Sequence, residues 1–205
     1  SYDYSENILV QESTGHLLAD ELGWQVELAY NQEVLGANGT FGRNSYKDIL
    51  LARYFHKALR TLNPWITDDQ VIEAQNTFEK HLSSASLMQI NEEKYAYIRD
   101  GIPVTEKKPN GQTEEKRAMI IDFQHPDDME RNHFLAVKEM KIHGDLYRRR
   151  TDIVGFVNGI PLLFIELKKN SVDVQNAYTD NYTDYLDTVP QLFYYNAFLM
   201  LSNGV

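Results

Sequence analysis

Residues 151–168, Thr-Asp-Ile-Val-Gly-Phe-Val-Asn-Gly-Ile-Pro-Leu-Leu-Phe-Ile-Glu-Leu-Lys, constrain the fold more than any other stretch of the chain. Two runs rich in β-branched and large apolar side chains flank Asn158-Gly159, a dipeptide favoured at tight hairpin turns because both residues tolerate positive φ. They predict two paired antiparallel strands. On the second, Leu162 and Phe164 alternate with Leu163, Ile165 and Leu167. Both faces of that strand are therefore apolar, and helices must cover the sheet from both sides. The expected fold class is α/β, a mixed sheet flanked by helices.

Three charged residues, Asp152, Glu166 and Lys168, lie at the strand ends farthest from the turn. Glu166 and Lys168 are two apart and point to one face. Whether Asp152 joins them depends on register. A two-residue loop pairs Val157 with Ile160 and sets Asp152 opposite Ile165, on the wrong face. A three-residue loop with Gly in the left-handed conformation shifts the pairing by one and gathers all three. The bulged loop is the expectation.

Carboxylates buried beside a sheet are costly unless paired or holding a metal. Two of them supply hard oxygen ligands for Mg²⁺. Such an ion polarises a phosphate and acidifies a water, while a lysine orients that water and offsets developing charge. Phosphodiester hydrolysis is one reading of the triad, with Asp152, Glu166 and Lys168 catalytic and with Asp152, Glu166 and the Leu167 carbonyl holding the metal. A structural ion pair between Lys168 and Glu166 is the other.

Asp152 followed by Glu166-Leu167-Lys168 resembles the PD-(D/E)XK nuclease signature, with Thr151 where the motif has proline. The longer run from Arg149 to Lys168 resembles the N-terminal nuclease domain of the restriction (motor) subunit of type I restriction-modification enzymes. So do Asp100-Gly101-Ile102-Pro103-Val104, Ile121-Asp122-Phe123, Asn132-His133-Phe134-Leu135 and Leu201-Ser202-Asn203-Gly204, in the same order. The resemblance implies a restriction-endonuclease-like fold and Mg²⁺-dependent cleavage of double-stranded DNA, triggered by translocation and distant from the recognition sequence. It also implies partnership with methyltransferase and specificity subunits, and ATP used only by motor domains. Nucleases of the RecB type carry Gln-x-x-x-Tyr on the helix after the Glu-x-Lys strand. The matching positions are Asn181 and Tyr185, with Gln175 as another polar candidate. A catalytically degenerate nuclease fold serving as a docking module is the alternative from a different class.

The 205 residues, 42% of them hydrophobic, can build one sizeable core. One domain spanning 1–205 is expected, with a helical lobe at 45–90 and a catalytic core at 91–205. Cysteine is absent, which excludes disulfides and thiolate zinc sites and fits a reducing cytoplasm. No apolar run approaches the roughly 20 residues that span a bilayer, and no export signal is visible, so a soluble cytoplasmic protein without a membrane partner is expected. A net charge of −10 argues against tight DNA binding by this chain alone. With no Gly-x-x-x-x-Gly-Lys-Ser/Thr phosphate loop in the sequence, the chain reads as a fragment of a longer polypeptide, nearly inactive when isolated.

The rest of the chain reads as follows. A first helix ends at Gly23 before a strand over 24–28, and Glu12 and Glu21 are its candidate metal acids or simply a solvated face. Residues 46–62 predict an amphipathic helix ended by Asn63-Pro64, and Thr67-Asp68-Asp69-Gln70 caps the next. His56 and His81 have no partners at ligand spacing. A helix over 87–100 leads to a hairpin whose tip carries Lys107, Lys108, Lys116 and Arg117 among glutamates. Residues 134–142 predict a strand. Arg148, Arg149 and Arg150 form the densest positive patch, placed to hold phosphates or to pair with nearby acids. A helix over 172–186 and a buried strand over 193–201 complete the reading.

Overall fold

The computed structural model describes residues 10–168 and 174–202. In chain order the elements are α1 (residues 10–16, continued by a π turn over Leu17–Glu21), β1 (Gln25–Leu28), α2 (Ala52–Leu62), α3 (Asp68–Glu79), α4 (Leu87–Asp100), β2 (Ile102–Lys107), β3 (Thr113–Ala118), β4 (Phe134–Lys138), β5 (Lys141–His143), β6 (Arg148–Arg150), β7 (Ile153–Val157), β8 (Ile160–Leu167), α5 (Val174–Thr188), a 3-10 turn (Pro190–Phe193) and β9 (Phe198–Ser202). A five-stranded mixed sheet runs β1-β4-β7-β8-β9, its two outer pairings parallel and its two inner ones antiparallel. Strands β2 and β3, and β5 and β6, form separate two-stranded ribbons. No helix among the described residues is long and apolar enough to cross a membrane.

Helices cover both faces, as the doubly apolar β8 requires. On one side α1 sets Leu18 against Ala136, Ile153, Ile165 and Leu167. On the other, Val154, Phe156 and Phe164 join Phe55 and Leu59 of α2, Phe78 of α3, Ile98 of α4 and Tyr185 of α5 in one cluster. Each such large side chain contributes about 1.5–3 kcal/mol over an exposed one. The 45–90 helices thus share their apolar core with the sheet. Thr67 and Ser86 each close a capping box with the Gln three residues on, satisfying the first amides of α3 and α4.

The register of β7 and β8 differs from the expectation in its cause. Val157 pairs with Ile160 across a two-residue turn, with Asn158 at φ 51 and Gly159 at φ 77. The shift comes later: Phe156 faces Pro161 but Gly155 faces Leu163, so Leu162 is an extra residue. The bulge is in mid-strand rather than in the loop. Beyond it Ile153 pairs with Ile165, which sets Asp152 opposite Glu166. Gly155 sits at this irregularity because space is short; a Cβ there would lie 3.0 Å from both Leu163 Cβ and the Trp24 ring.

Three further expectations are corrected. The helix predicted over 46–62 starts only at Ala52, because Ile49, Leu50 and Leu51 form a buried segment under the hairpin turn, where the Leu51 N–H donates to Gly159 O at 2.9 Å. The strand predicted over 134–142 is broken at Glu139, which takes φ 53 and sends the chain out of the sheet into β5. The strand predicted over 193–201 begins at Phe198, since Pro190 opens a 3-10 turn, and β9 is half-exposed rather than buried.

At the turn, the buried Asn158 joins three segments. Its Oδ1 accepts from His133 N–H at 2.7 Å, and its Nδ2 donates to Ile120 O at 2.9 Å and Asn132 Oδ1 at 3.0 Å. Asn132 in turn accepts from the Asp122 amide at 2.9 Å. Replacing Asn158 by Ala strands these buried partners and keeps a left-handed φ, so a loss of about 2–4 kcal/mol is expected in urea unfolding. Asn158→Gly restores only the backbone part. An Asn158→Ala domain as stable as wild type would contradict this reading of the turn.

Candidate active site

Asp152, Glu166 and Lys168 come together at the α5 side of the sheet, at the strand ends remote from the turn. The bulge decides this by giving Asp152 the same outlook as Glu166. Asp152 is held by its own strand partner, accepting the Leu167 N–H at Oδ2 at 2.8 Å. Glu166 is 8% exposed. Its Oε1 accepts from Tyr185 Oη at 2.7 Å, and its Oε2 is buried without a hydrogen-bond partner. Lys168 Nζ donates to Asn181 Oδ1 at 3.2 Å. Helix α5 therefore brings Asn181 and Tyr185, four residues apart on one face, onto the lysine and the glutamate respectively.

Burial pushes the Glu166 carboxyl up to about 8, and the Asp152 carboxylate, within hydrogen-bonding reach, adds to the effect; Tyr185 and Lys168 oppose it. Ionising Glu166 beside Asp152 is costly, and an added cation would offset that cost. Burial and the neighbouring Glu166 likewise raise the Tyr185 hydroxyl, so it remains a donor. An acid pair with one undonated, buried carboxylate oxygen fits a divalent cation. Among the described residues no cluster of three or more histidines, cysteines or acids is placed to hold a metal.

The arginines divide by strand alternation. Arg149 turns inward, ion-paired to Asp184 of α5 and stacked 4.6 Å over the Tyr185 ring. Arg150 turns outward, 3.8 Å from Glu139 and 4.6 Å over the Tyr30 ring. Arg148 is exposed. Asp184, a partner that nothing in the sequence singled out, is recognisable only once α5 is docked. Glu12 and Glu21 are exposed on the helix covering the opposite face. Lys108 and Arg117 pair with Glu114 and Glu115 at the β2–β3 ribbon. The side chain of Gln175 lies outside the described residues, as do Asn203 and Gly204. A cleft of about 480 Å³ opens at the turn end, lined by Tyr54, Lys57, His133 and Asn158; no member of the triad lines it.

The model of the type I restriction enzyme R protein N terminus matches residues 3–205. The chain belongs to this family. Its relatives include the HindI type I restriction enzyme endonuclease subunit of Haemophilus influenzae, 31% identical over 188 residues covering 90% of this chain. A chain named for the MjaIXP type I restriction enzyme endonuclease subunit in Methanocaldococcus jannaschii is 29% identical over 168 residues, 80% of this chain. The chain spans only 17% and 16% of the length of those relatives. The R-protein match runs through α2–α4 as well as the β7–β8 hairpin, so helices and triad belong to one family unit.

The raised carboxyl sets a pH dependence for this R-protein domain. In the fold Glu166 holds its proton up to about pH 8, whereas at its ordinary value of 4.5 the unfolded chain has released it. The stabilisation is complete below 4.5 and is lost as pH rises towards 8. With a chelator present, wild type is expected to lose stability from pH 5 to pH 8 by on the order of a few kcal/mol. Glu166→Gln should remove that slope. Parallel thermal-melting profiles for the two proteins would contradict it.

Proposed function

We propose that this domain is the endonuclease centre of a type I site-specific deoxyribonuclease, hydrolysing phosphodiesters of double-stranded DNA in a Mg²⁺-dependent reaction. The observation that carries the reading is the pairing of Asp152 and Glu166 on one face, with an undonated carboxylate oxygen and with Lys168 beside them. Asp152, Glu166 and the Leu167 carbonyl would hold the ion. The Leu167 N–H already points to Asp152, and within an extended strand the carbonyl of the same residue faces the same side. When bound, a divalent cation neutralises charge on the phosphate and acidifies a water.

The remaining work belongs to the chain's own groups. Lys168, steadied by Asn181, orients the attacking water and offsets charge developing on the phosphate. Tyr185 fixes the Glu166 carboxylate by donating to Oε1, leaving Oε2 for the metal. Arg149, held against Asp184 and Tyr185, secures α5 against the sheet, and Arg150 is the outward cation for a phosphate. At net charge −10, the domain depends on other parts of the assembly to deliver the duplex. Those parts are the ATP-driven motor domains of the same subunit and the methyltransferase and specificity subunits, and the complex works in the cytoplasm.

In the full-length subunit assembled with its partners, Asp152→Ala and Lys168→Ala are each expected to lower ATP- and Mg²⁺-dependent plasmid cleavage by about a hundredfold or more. ATP hydrolysis should be unchanged. Tyr185→Phe should cost less, about tenfold. Undiminished cutting by Asp152→Ala would move the domain's role from cleavage to assembly.

A further inference from the structure

Beside the triad, the ribbon of β5 and β6 has a firm base and an unusual tip. Lys141 pairs with Arg150, Ile142 with Arg149 and His143 with Arg148. Ile142 is fully buried. The His143 N–H donates to Tyr46 O, and Gln191 Nε2 donates to His143 O, both at 2.9 Å. Gly144 lies so close to the end of α5 that a Cβ would come within 2.0 Å of Thr188 O, and its N–H closes the loop onto Tyr147 O at 2.8 Å. The ribbon is thus pinned to the segment at Tyr46, to the 3-10 turn and to the end of α5.

That tip exposes Leu146 at 87%, the most exposed large apolar side chain among the described residues, and Tyr147 at 55%. Neither contributes to the core. Arg148 stands next to the tip and Lys141 and Arg150 two rungs back, with Lys47 3.5 Å from Asp145 and Arg150 3.8 Å from Glu139. His143, among Arg148, Arg43, Lys141 and Lys47, is shifted towards its neutral form by burial and by their combined charge. In a chain of net charge −10, this is a local positive field with an apolar point.

We infer that the β5–β6 ribbon is the element by which this domain grips the duplex it cuts: Leu146 and Tyr147 enter the groove flanking the scissile phosphate, and Arg148 holds an adjoining phosphate. This rests on the nuclease reading above and adds to it the residues that meet DNA. Reach supports it. Tyr147 lies five positions before Asp152, at most about 17 Å of extended chain, which is about half a turn of a duplex with a pitch near 34 Å. Leucine is a side chain that architectural proteins wedge between base steps. A step opened by such a wedge offers a base face on which a tyrosine ring can stack whatever the base's identity. Arginine outside the groove fixes register on the backbone. The ribbon reads no sequence in this arrangement.

The test uses the assembled full-length enzyme on plasmid DNA. The double variant L146S/Y147S is expected to cut roughly tenfold more slowly with ATP hydrolysis unchanged, and R148A to lower the salt dependence of cutting by about one unit of log–log slope. A photoreactive phenylalanine analogue at position 147 should cross-link to the plasmid. Undiminished cutting by L146S/Y147S, with no cross-link from position 147, would overturn the inference. Asp152→Ala, run alongside, separates the two ideas: if it abolishes cutting while L146S/Y147S cuts like wild type, only the ribbon's role falls. If Asp152→Ala still cuts, the nuclease reading falls and takes the ribbon's role with it.

Discussion

The site depends on one extra residue. Without the bulge at Leu162 the β7–β8 ladder would continue in the register set at the turn, and Asp152 would stand across from Ile165 with Glu166 turned to the opposite face. With it, Asp152 stands across from Glu166 on the side covered by α5. A one-residue slip moves every later side chain to the opposite face, so the bulge does at the scale of one residue what a loop insertion cannot do without disturbing the turn. Gly155 and Trp24 fit around it: the ring fills the space that a side chain at 155 would need. The Asn158 network fixes the other end of the hairpin, so the register is held both at the turn and at the irregularity.

The same geometry creates an electrostatic conflict and its resolution. Two carboxylates meet in a place from which water is largely removed, and ionising both there is unfavourable. Without a cation the conflict is relieved by holding a proton on Glu166. Helix α5 keeps the pair from relaxing apart, because Tyr185 donates to one oxygen of Glu166 while Arg149, from the neighbouring ribbon, is stacked on the same ring and paired with Asp184. Stability and function pull against each other here. The acid pair that costs the fold stability without a cation is the pair that the proposed reading uses to hold one.

Much of this was legible in the residues. The β7–β8 hairpin, its doubly apolar strand, the capped start of α3 and the closeness of Glu166 and Lys168 all follow from period, turn chemistry and capping. Asn181 and Tyr185 were marked by a family resemblance, and their partners Lys168 and Glu166 became visible only with α5 docked. What could not be read was tertiary in origin. The bulge leaves no mark in the pattern of β8, where Pro161, Leu162 and Leu163 look alike to a periodicity argument. Ile49, Leu50 and Leu51 have helical spacing but are drawn straight by the hydrogen bond from Leu51 to Gly159. Glu139 carries no turn signal, yet takes a left-handed conformation because β4 has to end there.

In the proposed reading the mid-strand bulge assembles a cation site from Asp152, Glu166 and the Leu167 carbonyl. The most direct measurement is anomalous diffraction from crystals of this domain soaked with Mn²⁺. One strong anomalous peak is expected between the two carboxylates, within coordination distance of the Leu167 carbonyl oxygen, and none in crystals of Asp152→Asn. A Mn²⁺ peak elsewhere, or no peak beside Asp152 and Glu166, would contradict it.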